Sequence, residues 1–230
     1  MEDELAGCPF CAGREDRTPP ETLRLGDPWR VRVVPNLYPA LERQEVVVHT
    51  PRHAVTLAEL TDDELALVAE AWRLRAEAVQ GYVHALVNEG REAGSSLPHS
   101  HSQLVWLPVE PGPEPSREGE TILERDGLVA WSPRLARLPY ESAIAAIEPE
   151  PDGLRSRLLA PALQLLAELI RRVHALEGPA PLNAWLHNHP SGWRIVLLPR
   201  LSVLAGLELG AGIYVNALPP EEAAARLRRV

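Results

Sequence analysis

One segment decides the fold of this chain: Pro98-His99-Ser100-His101-Ser102-Gln103, followed directly by the apolar run Leu104-Val105-Trp106-Leu107. In an extended strand, alternate side chains point to the same face, so two imidazoles and a carboxamide would share one face. Imidazole can act as a metal ligand, a base or a nucleophile near neutral pH. A carboxamide can donate to a phosphate oxygen without competing as a base. The segment therefore predicts a strand equipped for phosphoryl or nucleotidyl transfer, the alternative being two partly exposed strand histidines.

The composition limits the partners that the chain could have. The net charge of −9 over 230 residues argues against general nucleic-acid binding, which needs basic patches. All 23 basic residues are arginine, so any side-chain cation that holds phosphate must be an arginine. The sequence has no apolar stretch long enough for a membrane span and no signal-like start, so we expect a soluble cytoplasmic protein that does not bind membranes.

The two cysteines form a Cys-x-x-Cys pair, Cys8 and Cys11. Thiolate and imidazole are the ligands that zinc prefers, and this spacing supplies two corners of a tetrahedron. His53 and His99 are our candidates for the other two corners, although spacing alone does not single them out among eight histidines. A redox pair or two unligated thiols are the alternatives.

Hydrophobic periodicity predicts an α+β protein with two similar halves. Thr61 begins a helix whose apolar positions follow helical spacing as far as Leu86, and a second long helix covers 154–176. A short last helix begins at 219–222. Residues 1–28 are expected to form an irregular arm and 109–127 a linker. The remaining predicted strands are 30–34, 45–49, 127–132, 142–147, 183–187 and 194–198.

The order of strands and helices suggests an internal duplication, with an N-terminal half of residues 1–115 and a C-terminal half of residues 116–230. The strand at 105–108 corresponds to the strand at 196–199, each after a long helix and a turn. This alignment places Pro190, Gly192 and Arg194 opposite the histidines and glutamine of the first half, so only the first half carries that trio.

Three further groups have weaker signals. Gly94, Ser95 and Ser96 could present hydroxyls and backbone N–H groups to a phosphate, or could form an ordinary turn. The second His-x-His, at 187–189, could bind a metal or substrate, although a polar loop is favoured. Glu208 lies between glycines in a predicted loop and could bind sugar hydroxyls or simply be solvated.

The chain resembles the galactose-1-phosphate uridylyltransferase family, within the histidine-triad superfamily. The resemblance extends from about residue 7 to residue 228. The histidine-triad hydrolases differ by having a third histidine at the position of Gln103. Four segments carry the resemblance: 8–15 (CPFCAGRE), 34–41 (VPNLYPAL), 88–103 (NEGREAGSSLPHSHSQ) and 198–210 (LPRLSVLAGLELG).

The resemblance implies a role for each matching residue. His101 would be the nucleophile, and Gln103 would bind the transferred phosphoryl group. One structural zinc would be held by Cys8, Cys11, His53 and His99. The nucleotide and its phosphates would be contacted by Asn36, Asn88, Gly94, Ser95 and Ser96, and the sugar by Gly206 and Glu208.

The resemblance also implies a fold and an activity. The fold would be two fused histidine-triad-like halves, each an antiparallel sheet packed with a long helix. The activity would move a nucleoside monophosphate, uridylyl or adenylyl, between a nucleotide sugar and a sugar 1-phosphate through a covalent nucleotidyl-histidine. A phosphorylase or hydrolase of nucleotide sugars or dinucleotides is one alternative, and a non-catalytic nucleotide-binding member is another.

The sequence departs from the family pattern at several positions. Ser100 replaces the proline of the family's His-Pro-His, and Trp193 and Arg194 stand where many members have a second metal-binding His-x-His. The family's basic strand before the cysteine pair is also missing. A second copy of the chain could supply those cations, so a homodimer is a further expectation.

Overall fold

Ten strands form a single antiparallel sheet in the computed structural model, which describes residues 7–112 and 117–230. Two long helices pack against each other and against one face of this sheet. The predicted α+β class with antiparallel pairing is confirmed. Over those same two ranges, every helix is too short or too polar to cross a membrane.

The strands are β1 (Leu23–Leu25), β2 (Val31–Pro35), β3 (Gln44–Val48), β4 (Tyr82–Glu89), β5 (His101–Leu107), β6 (Gly119–Arg125), β7 (Leu128–Pro133), β8 (Ser142–Ala146), β9 (Leu182–His187) and β10 (Arg194–Pro199). The helices are α1 (Asp62–Ala78), α2 (Leu159–Glu177), α3 (Gly206–Ala211) and α4 (Pro220–Arg229). Single 3₁₀ turns cover Glu15–Arg17, Leu57–Glu59 and Arg91–Ala93.

The strands lie in the order β1-β2-β3-β5-β4-β9-β10-β8-β7-β6. Strands β4 and β9 meet at the centre, where Asn88 pairs with Asn183. Outward from this junction, β5, β3, β2 and β1 on one side match β10, β8, β7 and β6 on the other. This is the order that a duplicated unit would give, but the duplication itself stays a prediction, and the proposed boundary between residues 115 and 116 lies outside the described residues.

Helix α1 begins where the sequence predicts. The Thr61 hydroxyl accepts a hydrogen bond from the Glu64 N–H at 3.2 Å, and the Glu64 carboxylate accepts one from the Thr61 N–H at 2.9 Å. This reciprocal capping box satisfies two N–H groups that the helix leaves unpaired.

The predicted extension of α1 to Leu86 is wrong. The helix ends at Ala78, and Gly81 follows with a φ of +123°, a value that favours glycine. Val83 and Leu86 instead lie in β4, where buried and half-buried residues alternate. The apolar spacing of this stretch fits a helix and a strand about equally well, and the turn at Gly81 separates them.

Three other predicted boundaries are corrected. The linker at 109–127 contains β6, an edge strand whose polar side chains are mostly exposed, with Ile122 buried. The second long helix begins at Leu159 rather than at residue 154, because residues 153–158 form turns, in which the Ser156 N–H donates to the Gly153 carbonyl oxygen at 3.3 Å. The arm at 1–28 also contributes strand β1.

The two faces of the sheet have different coverings. Val47 of β3 and Leu104 of β5 lie in the large core between the sheet and helices α1 and α2. On the opposite face, which we call the arm face, Val46 and Val48 pack with Phe10 from the segment that carries the cysteines. Because side chains alternate along β5, His101 and Gln103 belong to the arm face.

Candidate active site and metal centre

His101 stands at the first residue of β5, largely buried, with 7% of its surface exposed. Its Nδ1 lies 2.7 Å from the carbonyl oxygen of His99. Since a carbonyl only accepts, Nδ1 carries the proton and Nε2 keeps its lone pair. Burial lowers the pKa of His101, which favours the neutral ring. Among the described residues the hydrogen bond of the His101 ring is made by Nδ1, which leaves the Nε2 lone pair for a ligand.

Phe10 lies against both histidines of the motif. Its ring centroid is 5.9 Å from that of His99 and 5.4 Å from that of His101, both edge-on. The two histidines therefore face the same side of the sheet, and the cysteine arm covers them. Sequence reasoning assigned Phe10 no separate role, although it lies between Cys8 and Cys11.

Cys8, Cys11, His53 and His99 form one cluster that could hold a metal ion. Their ligand atoms all lie within 4.8 Å of one another. The Cys8 Sγ is 3.4 Å from the His99 Nδ1, and the Cys11 Sγ is 3.4 Å from the His53 Nδ1. Such separations suit four donors around one ion with bonds of about 2.0–2.3 Å.

The surroundings of the cluster favour the metal-binding form of His99, the neutral ring, but not by themselves the thiolate of Cys11. The His99 Nε2 donates to the Thr50 carbonyl oxygen at 2.9 Å, so Nδ1 presents a lone pair to the cysteines. Burial lowers the pKa of His99 to about 4, which keeps the ring neutral. Burial and the neighbouring Cys8 raise the pKa of the Cys11 thiol to about 11. A divalent cation would reverse that last effect, because it stabilises adjacent thiolates.

Gln103 is held by a residue that the sequence did not single out. The Gln44 side-chain amide donates to the Gln103 carbonyl oxygen, which leaves the Gln103 NH₂ group for another acceptor. Gln44 also accepts from the Asn36 N–H through its backbone oxygen, at 2.9 Å. Asn36 is therefore brought next to Gln103, although its own side-chain oxygen caps the Tyr38 N–H at 3.0 Å.

Asn88 lies at the centre of the sheet in a network that links the two halves. Its Oδ1 accepts from the Asn183 side chain at 2.8 Å, and the Asn183 Oδ1 accepts from the Arg200 guanidinium at 3.0 Å. Asn183 also donates to the Ala93 carbonyl oxygen at 2.8 Å, which ties the network to the glycine–serine turn. Sequence reasoning missed Asn183 and Arg200 because strands 95 residues apart must first pair.

The predicted phosphate loop is a tight turn between β4 and β5. Gly94 has a φ of +88°, in the left-handed region that favours glycine. The Ser95 hydroxyl donates to the Leu97 carbonyl oxygen at 2.8 Å, whereas Ser96 is exposed. Ser96 and the turn backbone are therefore the groups here that a phosphate could reach.

The segment predicted as a sugar-binding loop is helical in the structure, and its sugar-binding role stays a prediction. Gly206 and Glu208 lie in the short helix α3, and the Glu208 carboxylate accepts from the Ala205 N–H at 2.8 Å. Within residues 7–112 and 117–230, neither residue forms a hydrogen bond or ion pair with His101 or Gln103. The carboxylate is occupied by capping its own helix.

His187 and His189 lie outside the metal cluster. Their rings stack with centroids 6.2 Å apart, and the His189 Nδ1 is bonded to the Ser191 hydroxyl at 2.6 Å. Among the described residues, no group of three or more potential metal ligands includes either histidine.

Another buried histidine, His49, lies behind β5. The His49 Nδ1 is 2.9 Å from the Ser100 hydroxyl, and its Nε2 is 2.9 Å from the Ser102 hydroxyl. The Trp72 indole of α1 donates to the same Ser102 oxygen at 2.8 Å. Complete burial lowers the pKa of His49 well below its usual value, so the ring is neutral. The sequence reasoning missed this cluster, since no spacing signal connects its members.

Comparison with known proteins supports one family. A family model for galactose-1-phosphate uridyl transferase, N-terminal domain, matches residues 39–111. An ADP-glucose phosphorylase from Arabidopsis thaliana is 28% identical over 98% of this chain and 82% of its own length. A galactose-1-phosphate uridylyltransferase from Thermotoga maritima is 23% identical over 96% of this chain and 88% of its own.

Solved structures agree with the sequence matches. A galt-like protein from Arabidopsis thaliana superposes with a TM-score of 0.89 at 26% identity, covering 97% of this chain and 92% of that one. The motif strand, the cysteine–histidine cluster, the sheet order and these matches agree: over nearly its whole length the chain is similar to a galactose-1-phosphate uridylyltransferase and to an ADP-glucose phosphorylase.

Proposed function

We propose that this protein transfers a nucleoside monophosphate from a nucleotide sugar to a sugar 1-phosphate, through a covalent nucleotidyl group on His101. The observation that carries the proposal is the hydrogen bond of 2.7 Å between the His101 Nδ1 and the His99 carbonyl oxygen. It places the proton on Nδ1 and leaves the Nε2 lone pair for a ligand, while burial lowers the pKa of His101 and so favours the neutral ring that a nucleophilic imidazole needs.

In the first half-reaction, the His101 Nε2 attacks the α-phosphorus in line with the departing sugar phosphate. A phosphorus–nitrogen bond forms, the bond between phosphorus and the bridging oxygen breaks, and the sugar 1-phosphate leaves with the electron pair. The positive charge that develops on the ring is stabilised by the His99 carbonyl at Nδ1. The second half-reaction reverses these events with the acceptor phosphate.

The Gln103 NH₂ group is the proposed donor to a non-bridging phosphoryl oxygen. The Gln44 contact orients it, since the carbonyl end of Gln103 is already occupied. A preorganised neutral donor stabilises charge on the phosphoryl oxygens without taking a proton from His101. Ser96, the turn at Gly94 and the side chain of Asn88 are the proposed contacts to the remaining phosphates.

Zinc is the metal that the two-cysteine, two-histidine donor set fits best. When bound, it would supply structural stability rather than reaction chemistry, because protein donors fill all four positions. It would fix the cysteine arm and the His99 ring, and with them the carbonyl that holds His101.

Phosphorolysis of a nucleotide sugar is the second candidate function. It is supported by the relative described as an ADP-glucose phosphorylase, whose identity of 28% exceeds the 23% of the Thermotoga maritima uridylyltransferase. The same His101 chemistry would serve, with inorganic phosphate as the acceptor.

An acceptor panel tests the proposal. Purified protein would be incubated with UDP-glucose or ADP-glucose and with galactose 1-phosphate, inorganic phosphate or water. We expect turnover with a phosphate-bearing acceptor and a loss of at least about 1,000-fold in the His101→Asn variant. Turnover only with inorganic phosphate would assign the phosphorylase. Binding without turnover across the panel would contradict both enzyme assignments.

A further inference from the structure

The cluster behind β5 joins His49 to both serines of the motif and, through Ser102, to helix α1. Trp72 can only donate, so the Ser102 oxygen accepts from it. Ser102 can then donate its own proton to the His49 Nε2, and the His49 Nδ1–H donates to the Ser100 oxygen.

The two serines are the immediate neighbours of His101 in the chain. They point to the helix side of the sheet, whereas His101 points to the arm face. His49 follows β3, which pairs with β5 through Val48 and His101. The His49 imidazole therefore contacts the motif from the helix side of the sheet. It binds the residues on either side of His101, the proposed nucleophile.

The peptide between His99 and Ser100 is the link to the His101 ring. Its carbonyl oxygen accepts from the His101 Nδ1 at 2.7 Å, and its N–H donates to the Ala54 carbonyl oxygen at 2.6 Å. The Ser100 side chain is attached to the same peptide unit and is held by His49 at 2.9 Å. A shift of Ser100 would therefore tilt the carbonyl that selects the His101 tautomer.

The contact depends on a residue in which this chain departs from the family pattern. The proline of the usual His-Pro-His motif has no hydroxyl and no N–H, and its φ is fixed by its ring. Ser100 is freer, so its conformation must be set by its partners, and His49 and Ala54 are those partners.

We propose that His49 is a positioning residue: by holding Ser100 and Ser102 it fixes the 99–100 peptide, and thereby the tautomer and direction of the His101 ring. This inference rests on the proposed function of His101. His49 touches no substrate in this account and acts only through the strand.

Nitrogen-15 NMR of histidine-labelled, metal-loaded protein tests the proposal without substrate. The unsubstituted chain is expected to show His101 protonated at Nδ1 alone, assigned by the signal lost in His101→Asn. In His49→Phe we expect a mixture of the two tautomers. A single Nδ1–H tautomer in His49→Phe would overturn the proposal, whatever the protein's activity.

Single-turnover nucleotidylation provides the second readout. We expect His49→Phe to slow transfer to His101 by about 10- to 100-fold while KM for the nucleotide sugar changes by less than about twofold. An unchanged rate constant per active site would overturn the positioning role. Failure of the unsubstituted chain to form any adduct would contradict the proposed function instead, and the NMR result would still decide the role of His49.

Trp72→Phe is the matched control, because it removes a hydrogen bond to Ser102 but leaves the His49–Ser100 contact in place. A purely structural role for the cluster predicts the same tautomer mixture and the same rate loss in both variants, and that result would overturn the proposal. We expect Trp72→Phe to lower thermal stability but to keep the Nδ1–H tautomer of His101.

Discussion

At the residue scale, two histidines of one motif differ because different backbone carbonyls hold them. His99 donates from Nε2 to Thr50 and turns Nδ1 to the cysteines. His101 donates from Nδ1 to His99 and leaves Nε2 for the ligand side. In a neutral imidazole, the nitrogen that donates a hydrogen bond carries the proton, and the other nitrogen keeps its lone pair for a ligand. The sequence predicted the two side chains on one face, but their opposite tautomers needed the positions of two carbonyl oxygens.

Removing one thiolate tests the metal centre. We expect the protein to be isolated with about one zinc per chain, and Cys8→Ser to lose most of it, because serine is a poor zinc ligand. Elemental analysis of protein dialysed against metal-free buffer measures the content. His189→Gln is the control, since His189 lies outside the cluster. Equal zinc in all three proteins would contradict the assignment.

Glu89 predicts a pH dependence of stability. Burial raises the pKa of Glu89 to about 7 from an ordinary value of 4.5, although its oxygens contact the Thr56 hydroxyl and the Leu57 N–H, each at 2.6 Å. Between these pH values the folded state holds a proton that the unfolded state has lost. The free energy of unfolding should therefore fall as pH rises from about 4.5 to about 7, by about 3 kcal/mol from this group.

Urea denaturation at several pH values measures this effect. Glu89→Gln cannot ionise, so its free energy of unfolding should vary less with pH across the same window than that of the unsubstituted chain. Glu92→Gln, at an exposed position, is the control and should keep the original pH dependence. A pH dependence in Glu89→Gln as steep as in the unsubstituted protein would refute the prediction.

At the element scale, local signals predicted the parts of the fold that local interactions determine. The capping residues Thr61 and Glu64 and the short valine-rich strands β2 and β3 are encoded within a few neighbouring residues. Strand β4 was missed because its apolar residues continue the spacing of α1. Strand β6 was missed because an edge strand with polar side chains resembles a linker. In both cases tertiary pairing, rather than local pattern, decides the structure.

The capping box of α1 offers a stability test. Thr61→Ala removes the hydroxyl that accepts from the Glu64 N–H and should lower the free energy of unfolding by about 1 kcal/mol. Thr61→Ser keeps a hydroxyl and should cost only a few tenths of that. Chemical denaturation followed by circular dichroism compares the two, and equal losses would show that the hydroxyl does not cap the helix.

At the scale of the whole molecule, the sheet order assembles the candidate site from distant segments. Pairing of β3 with β5 brings His49 beside Ser100, and pairing of β4 with β9 brings Asn183 to Asn88. The cysteine–histidine set was predicted through the family resemblance, because Cys8 and His53 lie far apart in the chain. The partners Gln44, His49 and Asn183 were not predicted, since identifying them requires the strand register.

The homodimer stays a prediction at this scale. If a second copy supplies cations to the nucleotide, light scattering at assay concentration should give twice the chain mass of 25.3 kDa. A monomer that is fully active at that concentration would rule out this contribution.

The most direct test of the account is the intact mass of the protein after incubation with nucleotide sugars and no acceptor. We predict that the chain gains the mass of one nucleoside monophosphate, that an acceptor phosphate removes it, and that His101→Asn gains nothing. An unchanged mass with every nucleotide sugar, or the same adduct on His101→Asn, would contradict the claim that His101 carries the transferred group.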